Sequence, residues 1–320
     1  MTLFRRHTPF HLTALGLLIF TVTALPQETS KTAQGSAQPS MVLLNVRITD
    51  EAGHPVSDAR QEDVRVIEDN VVQTIAFFSK EEVPLSYGLL IDSSASMRTQ
   101  LDKIIEAGRI IVNSNIPGDE TFLIRFISSD KIESVLDFTS SKAALSSGLD
   151  SLYVEGGQTA VIDAVYVAIE HLVKSRQSGD GNRRRALVLM TDGEDRGSQY
   201  RRAQLAELLH KEDIQIFVVG LVHQVERVNA RDKAIELLNF LAQETGGRAF
   251  FPKSTSELRG IAEEITRDLR TQYLIGYVPA GGNQSNTFHK VQVIAGDSQG
   301  RGKRVAVTRV GYIAAPRSNR

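Results

Sequence analysis

Residues 87–97 read Tyr-Gly-Leu-Leu-Ile-Asp-Ser-Ser-Ala-Ser-Met, and this stretch restricts the folds open to the chain more than any other. Its apolar run stops at one carboxylate, Asp92, and alternating hydroxyls follow at Ser94 and Ser96. A continuous apolar run is what a strand buried on both faces requires, and parallel α/β sheets present their sites in loops beyond the carboxyl ends of such strands. Side-chain oxygens gathered in one such loop suit a hard divalent cation, which takes oxygen ligands. The competing interpretation is a turn with a helix cap, where Asp and Ser are favoured in any case.

Two further segments fit the first. Gly156-Gly157-Gln158-Thr159 opens a helical pattern, and residues 186–193, Ala-Leu-Val-Leu-Met-Thr-Asp-Gly, form a second apolar run that ends in a carboxylate. They add Thr159 and Asp192 to the set, while Gly156 and Gly157 meet a backbone requirement ahead of the helix. With these five residues the chain, over about residues 84–270, resembles the von Willebrand factor type A family. That family's metal-ion-dependent adhesion site combines an Asp-x-Ser-x-Ser loop with a distant Thr and a distant Asp.

The resemblance implies a doubly wound, mostly parallel Rossmann-like α/β sheet and a metal set of Asp92, Ser94, Ser96, Thr159 and Asp192. On the family's logic the hydroxyls bind directly and the two aspartates act directly or through water, so the cation keeps much of its charge. A carboxylate from a protein or other macromolecular partner then completes the shell. So few carboxylates favour Mg²⁺ or Mn²⁺ ahead of Ca²⁺. Asp163, Glu194 and Asp195 lie near in sequence and are expected to be supporting groups or solvated rim charges, outside the metal set.

The leading expectation is therefore an exported, metal-dependent adhesion or protein-binding module. Its alternatives are a Mg²⁺-dependent hydrolase using the open ion as a Lewis acid, and a metal-independent structural scaffold. An enzyme is not expected. There is no Gly-x-Ser-x-Gly elbow and no phosphate loop, and beyond the N-terminal segment, where His7 and His11 lie, no two histidines stand at His-x-x-x-His spacing. Each histidine is assigned to surface or packing. Arg183-Arg184-Arg185 is expected to be a solvated strand entrance, as charge runs usually are.

Between Pro84 and Arg270 strand and helix patterns alternate. Helical faces fall at Leu101–Val112, Val161–Val173, Ala203–Leu209, Lys233–Gln243 and Leu258–Leu269. Gly246-Gly247 should stop the fourth of these helices, and Ser254 with Glu257 should cap the last one as a capping box. Thr121–Phe126, Ile132–Phe138, Ile214–Gly220 and Ala249–Phe251 read as strands. On either side the pattern is purely β. Three short strands are expected over Val42–Thr49, Val64–Glu68 and Val71–Phe78, with a turn at Asp69-Asn70. Three more fall at Gln272–Val278, Lys290–Ile294 and Val305–Val310.

Neither flank can cover its apolar face alone, so the α/β domain is expected to be inserted between two halves of one small β-sandwich. The flanks resemble a bacterial von Willebrand factor type A related family from acidobacteria. The expected divisions are 1–26 signal peptide, 27–40 flexible lead-in, 41–82 first sandwich half, 83–271 α/β domain, 272–314 second half and 315–320 tail.

Composition sets the remaining bounds. A chain of 320 residues with 41% hydrophobic content can supply real cores. Removing Arg5 and Arg6 from the 37 basic residues leaves 35 against 38 acidic ones, so neither nucleic acid nor a polybasic membrane contact is expected. Cysteine is absent, which rules out disulfides and thiolate chemistry. Arg5, Arg6 and His7 precede an apolar run from Leu12 to Leu25, and Val22-Thr23-Ala24 offers a cleavage signal. A periplasmic or extracellular location follows. The alternative is an uncleaved anchor, the one membrane contact considered, although the run is shorter than the roughly 20 residues a span needs.

Overall fold

The computed structural model describes residues 41–175, 183–282, 285–296, 300 and 302–315. The signal peptide and lead-in expected over residues 1–40 lie outside these, as does the expected tail beyond residue 315. Among the described residues no helix is long and apolar enough to cross a membrane.

The chain starts with four strands, β1 (Val42–Asp50), β2 (Val64–Glu68), β3 (Val71–Gln73) and β4 (Ile75–Ser79). An α/β region follows. It runs β5 (Leu85–Asp92), α1 (Leu101–Asn113), β6 (Glu120–Ser128), β7 (Lys131–Thr139), α2 (Lys142–Asp150), α3 (Val161–Lys174), β8 (Arg184–Thr191), α4 (Arg202–Lys211), β9 (Gln215–Gly220), α5 (Val228–Thr245), β10 (Arg248–Phe250) and α6 (Leu258–Arg270). Four strands close the chain, β11 (Tyr273–Tyr277), β12 (Phe288–Ala295), β13 (Arg304–Val307) and β14 (Gly311–Ile313).

The α/β region builds a six-stranded sheet in the order β10-β9-β8-β5-β6-β7, parallel except for the edge strand β7. All eight residues of β5 are buried, because helices cover both faces of the sheet. Leu85, Tyr87, Leu89 and Ile91 pack with residues of α1 and α6, whereas Leu90 packs with residues of α3, α4 and α5. The chain winds outward from β5 to β6 and β7, then jumps back to β8 on the other side of β5. The point where the strand order reverses, between β5 and β8, opens a crevice at the carboxyl ends of the two strands.

The flanking strands form two four-stranded antiparallel sheets, β13-β1-β11-β4 and β14-β12-β2-β3. They share one core that includes Leu44, Val46, Ile48, Val66, Tyr273, Ile275, Tyr277 and Val293. Each sheet draws strands from both ends of the chain, so the α/β domain is inserted into a sandwich that neither end could close alone.

Each flank supplies four strands where the pattern suggests three. The run Val71–Phe78 breaks at Thr74, so that β3 stays beside β2 while β4 crosses to pair with β11. At the far end the ladder stops at Val307, and β14 begins after three intervening residues on the other sheet. A chain that must serve both sheets has to leave one of them, and alternation alone does not reveal where. Helix α2 is an addition to the expected pattern; it buries Leu145 and Leu149.

Two polar expectations change as well. Arg184 is no solvated edge: it is 3% exposed, and its guanidinium donates to Asn45 Oδ1 (3.0 Å) and to the carbonyl of Leu269 (2.7 Å). Asn45, Arg47 and Thr49, the polar side of β1, are buried too, with Arg47 reaching Asp268 at 3.4 Å. The sandwich thus meets the inserted domain through polar side chains at the amino end of β8 and the carboxyl end of α6. The capping box at Ser254 does not form. Residues Thr255–Glu257 make a tight 3-10 turn, the Ser254 hydroxyl bonds the Ser256 hydroxyl at 2.6 Å, and α6 starts at Leu258.

Candidate metal centre

Register brings the first two groups together. Parallel pairing of β5 with β8 sets Ile91 opposite Met190, so the next residues, Asp92 and Thr191, lie side by side. The Thr191 hydroxyl donates to Asp92 Oδ2 at 2.6 Å, and the backbone N–H of Ser94 donates to Oδ1 at 2.9 Å. Asp92 is fully buried. Burial first, and then the charge of neighbouring Asp192, push its carboxyl up to about 7. Hydrogen bonds to the charged form oppose the shift without cancelling it.

The loop after β5 turns through residues 95–97 so that the Ser94 and Ser96 hydroxyls lie 3.1 Å apart. Ser94 is buried and Ser96 is open to solvent. The loop is pinned from the side by the backbone N–H of Glu155, which donates to the carbonyl of Ser93 at 2.9 Å.

Thr159 is buried at the amino end of α3, and its hydroxyl has no hydrogen-bond partner among the described residues. Its carbonyl accepts from the backbone N–H groups of Arg196 (2.8 Å) and Gly197 (3.0 Å). The Thr159 loop is thereby strapped to the loop that follows Asp192. Asp192, 2% exposed, accepts from the backbone of Glu194 at 3.0 Å through Oδ1. Gly193 makes this turn with φ +78°, a conformation that L side chains rarely adopt.

Three acids that sequence leaves as supporting groups or rim charges take distinct positions. Asp163 is buried in the first turn of α3 and accepts from the backbone N–H of Gln199 (2.9 Å) and of Tyr200 (2.8 Å). Asp195 accepts from the Ser198 hydroxyl at 2.6 Å. Glu194 pairs with Arg196, and with Arg227 at 3.8 Å. The first two brace the loops that carry Thr159 and Asp192. Sequence inspection passes over Thr191 altogether, although it lies one position before a singled-out Asp at the end of a buried strand.

The donor set fits a divalent cation on one observation. Two buried aspartates lie within electrostatic range of each other, and neither has a Lys, Arg or His partner among the described residues. Buried charge needs a counter-charge, and here hydroxyl and carboxylate oxygens face it instead of a basic side chain. Beside the centre a groove of about 830 Å³ opens, lined in part by Ile162, Gly193, Glu194, Arg196, Arg227 and Leu237.

A Rossmann-like sheet with oxygen donors at its switch point defines the class: an α/β domain built to present a site at the carboxyl ends of its central strands. A family model for the von Willebrand factor type A domain matches residues 88–264, more than half of the chain, and the chain belongs to that family. Domains of this family are mostly protein-interaction modules rather than enzymes, and they commonly bind a divalent cation.

Comparison with curated proteins finds no match. Among solved structures the chain is similar to BatB, a conserved hypothetical protein of Bacteroides thetaiotaomicron, at 18% identity over 57% of this chain and 98% of that one, with a TM-score of 0.44. It is similar to a von Willebrand factor type A protein of Catenulispora acidiphila at 14% identity, covering 89% and 76% of the two chains (TM-score 0.46). A third is proximal thread matrix protein 1 of the mussel byssus, whose metal-ion-dependent adhesion motif is zinc-occupied. There the identity is 19%, over 62% of this chain and 48% of the mussel protein, with a TM-score of 0.46.

Proposed function

We propose that this chain is an exported protein-binding module whose grip on its partner depends on a divalent cation held by Asp92, Ser94, Ser96, Thr159 and Asp192. The observation that carries this is the uncompensated pair of buried aspartates at the β5–β8 switch point, with the hydroxyls of Ser94 and Ser96 beside it. When bound, the cation supplies a positive centre that attracts an anionic group. The chain's own contribution is to position and polarise. Thr191 and the Ser94 backbone fix Asp92, while Glu194 and the residue 196–197 backbone fix Asp192 and Thr159. Mg²⁺ and Mn²⁺ are preferred over Ca²⁺, because two carboxylates are fewer than a Ca²⁺ shell usually collects.

The partner supplies a carboxylate, and the adjoining groove, whose lining includes Arg196, Arg227, Ile162 and Leu237, receives the acidic and apolar residues around it. Export rests on the amino-terminal charge and apolar pattern of residues 5–25.

Thermal unfolding with Mg²⁺, Mn²⁺, Ca²⁺ or chelator tests the metal, since a ligand that binds only the folded state stabilises it in proportion to occupancy. We expect Mg²⁺ or Mn²⁺ to raise the midpoint of the wild type and not that of Asp92→Ala. Capture of partners that survives chelation, or that Asp92→Ala leaves intact, refutes the proposal in favour of a metal-independent scaffold.

A further inference from the structure

The sandwich holds a second cluster, unrelated to the centre just described. Glu68 ends β2, Asp69 starts the turn to β3, and His289 lies on β12. One donor atom from each of the three falls within 4.8 Å of the other two. His289 Nδ1 is 2.8 Å from Asp69 Oδ2 and 3.9 Å from Glu68 Oε1. Donors sharing a small ion at about 2.0–2.2 Å stand about 3.0–3.5 Å apart, a range that the two histidine–carboxylate spacings bracket.

What surrounds these atoms orients them. The hydroxyls of Tyr277 (2.5 Å) and Tyr312 (2.9 Å) both donate to Glu68 Oε2, which leaves Oε1 facing the histidine. The backbone N–H of Lys290 donates to Asp69 Oδ1 at 2.9 Å, which leaves Oδ2 facing the same ring. Partners that hold the far oxygen of each carboxylate while the near one stays available are the outer support that metal ligands receive. Asp69 and Asn70, with φ of 48° and 68°, make the two-residue hairpin turn between β2 and β3, and the backbone N–H of Asp69 donates to the Lys290 carbonyl of β12 at 3.0 Å.

Burial and access fit the same reading. Glu68 and His289 side chains are only 5% and 8% exposed, while Asp69 is half-exposed and gives access for an ion and a water ligand.

We propose that Glu68 Oε1, Asp69 Oδ2 and His289 Nδ1 form a second cation site, suited to zinc-class ions that accept both imidazole and carboxylate, and that it staples the two halves of the split sandwich. Its ligands come from positions 68–69 and 289, on either side of the entire inserted domain. Closing so long a loop costs entropy that a cross-link offsets, and a chain without cysteine has no disulfide to do so.

The test uses the Asp92→Ala protein, which removes the other centre, with Zn²⁺ and Co²⁺ as probes. We expect one equivalent of Zn²⁺ to bind, a rise in unfolding midpoint that chelator reverses, and visible Co²⁺ absorption with the intensity of a low-symmetry nitrogen–oxygen site. Adding Asp69→Asn, at a half-exposed position where folding is spared, should abolish all three, and His289→Gln should do the same. Equal Zn²⁺ affinity with and without Asp69→Asn overturns the proposal. So does absence of Zn²⁺ uptake by a protein whose circular dichroism matches wild type. Neither result bears on the centre at Asp92.

Discussion

At the scale of single residues, the candidate centre depends on a side chain outside its motif. Thr191 donates to Asp92 Oδ2 at 2.6 Å and also accepts from the backbone N–H of Gly193 at 3.0 Å. It therefore couples the loop after β5 to the loop after β8. Thr191→Val keeps the shape and deletes both bonds. We expect it to lower the stability of the metal-free protein by about 1–3 kcal/mol, the cost of stranding buried polar partners. Mg²⁺ affinity measured by calorimetry should fall roughly 10–100-fold, as for other groups that orient a metal ligand. The proposed ligands Asp92, Ser94, Ser96, Thr159 and Asp192 can be picked out from sequence because each sits in a short local pattern beside an apolar run. Thr191 is not, because its partner is set by the register of two strands about a hundred residues apart. Asp163 was visible as an acid in the first turn of a helix, but its hold on Gln199 and Tyr200 depends on how a distant loop folds back.

At the scale of elements, helix ends and strand ends decided which sequence signals held. Gly246 closes α5 in the left-handed conformation, φ +73°, as a glycine after an amphipathic helix suggests. A second constraint on it lies outside the helix. A Cβ at this position would come within 2.5 Å of the backbone carbonyl carbon of Thr308, in the segment between β13 and β14. Gly246→Ala therefore combines an unfavourable backbone conformation with a clash against another domain. We expect about 1–3 kcal/mol of destabilisation in urea unfolding, whereas the same substitution at Gly260, inside α6 with open space around it, should be neutral or stabilising. Other element signals were weak for physical reasons. Residues 142–150 bury only two leucines and carry Ser146, Ser147 and Gly148, so their helical period is faint. The split of β3 from β4 rests on a change of sheet at Thr74, and the exposed Val71 and Val72 beside the buried Gln73 give no alternation that marks it.

At the scale of the whole molecule, the polar side of β1 joins the two domains. Asn45 and Arg47 meet Arg184, Asp213 and Asp268, and Arg184 also holds the carboxyl end of α6 through the Leu269 carbonyl. Alternation alone makes these β1 residues look solvent-facing, because the surface that covers them comes from residues 184–269. In wild type we expect a single cooperative unfolding transition. Arg184→Ala strands a buried carbonyl and an amide together, and calorimetry should then resolve two transitions, one for each domain. Arg184→Lys should restore little, since one ammonium cannot span both acceptors as the guanidinium fork does.

The inserted domain leaves β4 and returns into β11, and these two strands are hydrogen-bonded neighbours, with Ser79 opposite Leu274. The stem of a domain of nearly two hundred residues is thus a closed zipper. Tension applied to the two ends of the chain passes across the sandwich sheets and does not load the insert until the sandwich opens. Tension applied by a partner at the far pole, beyond the carboxyl ends of β5 and β8, enters the sandwich through both stem strands at once. The insert is thus a head on a two-legged mount, shielded from strain between the flanking strands and coupled to them through its stem.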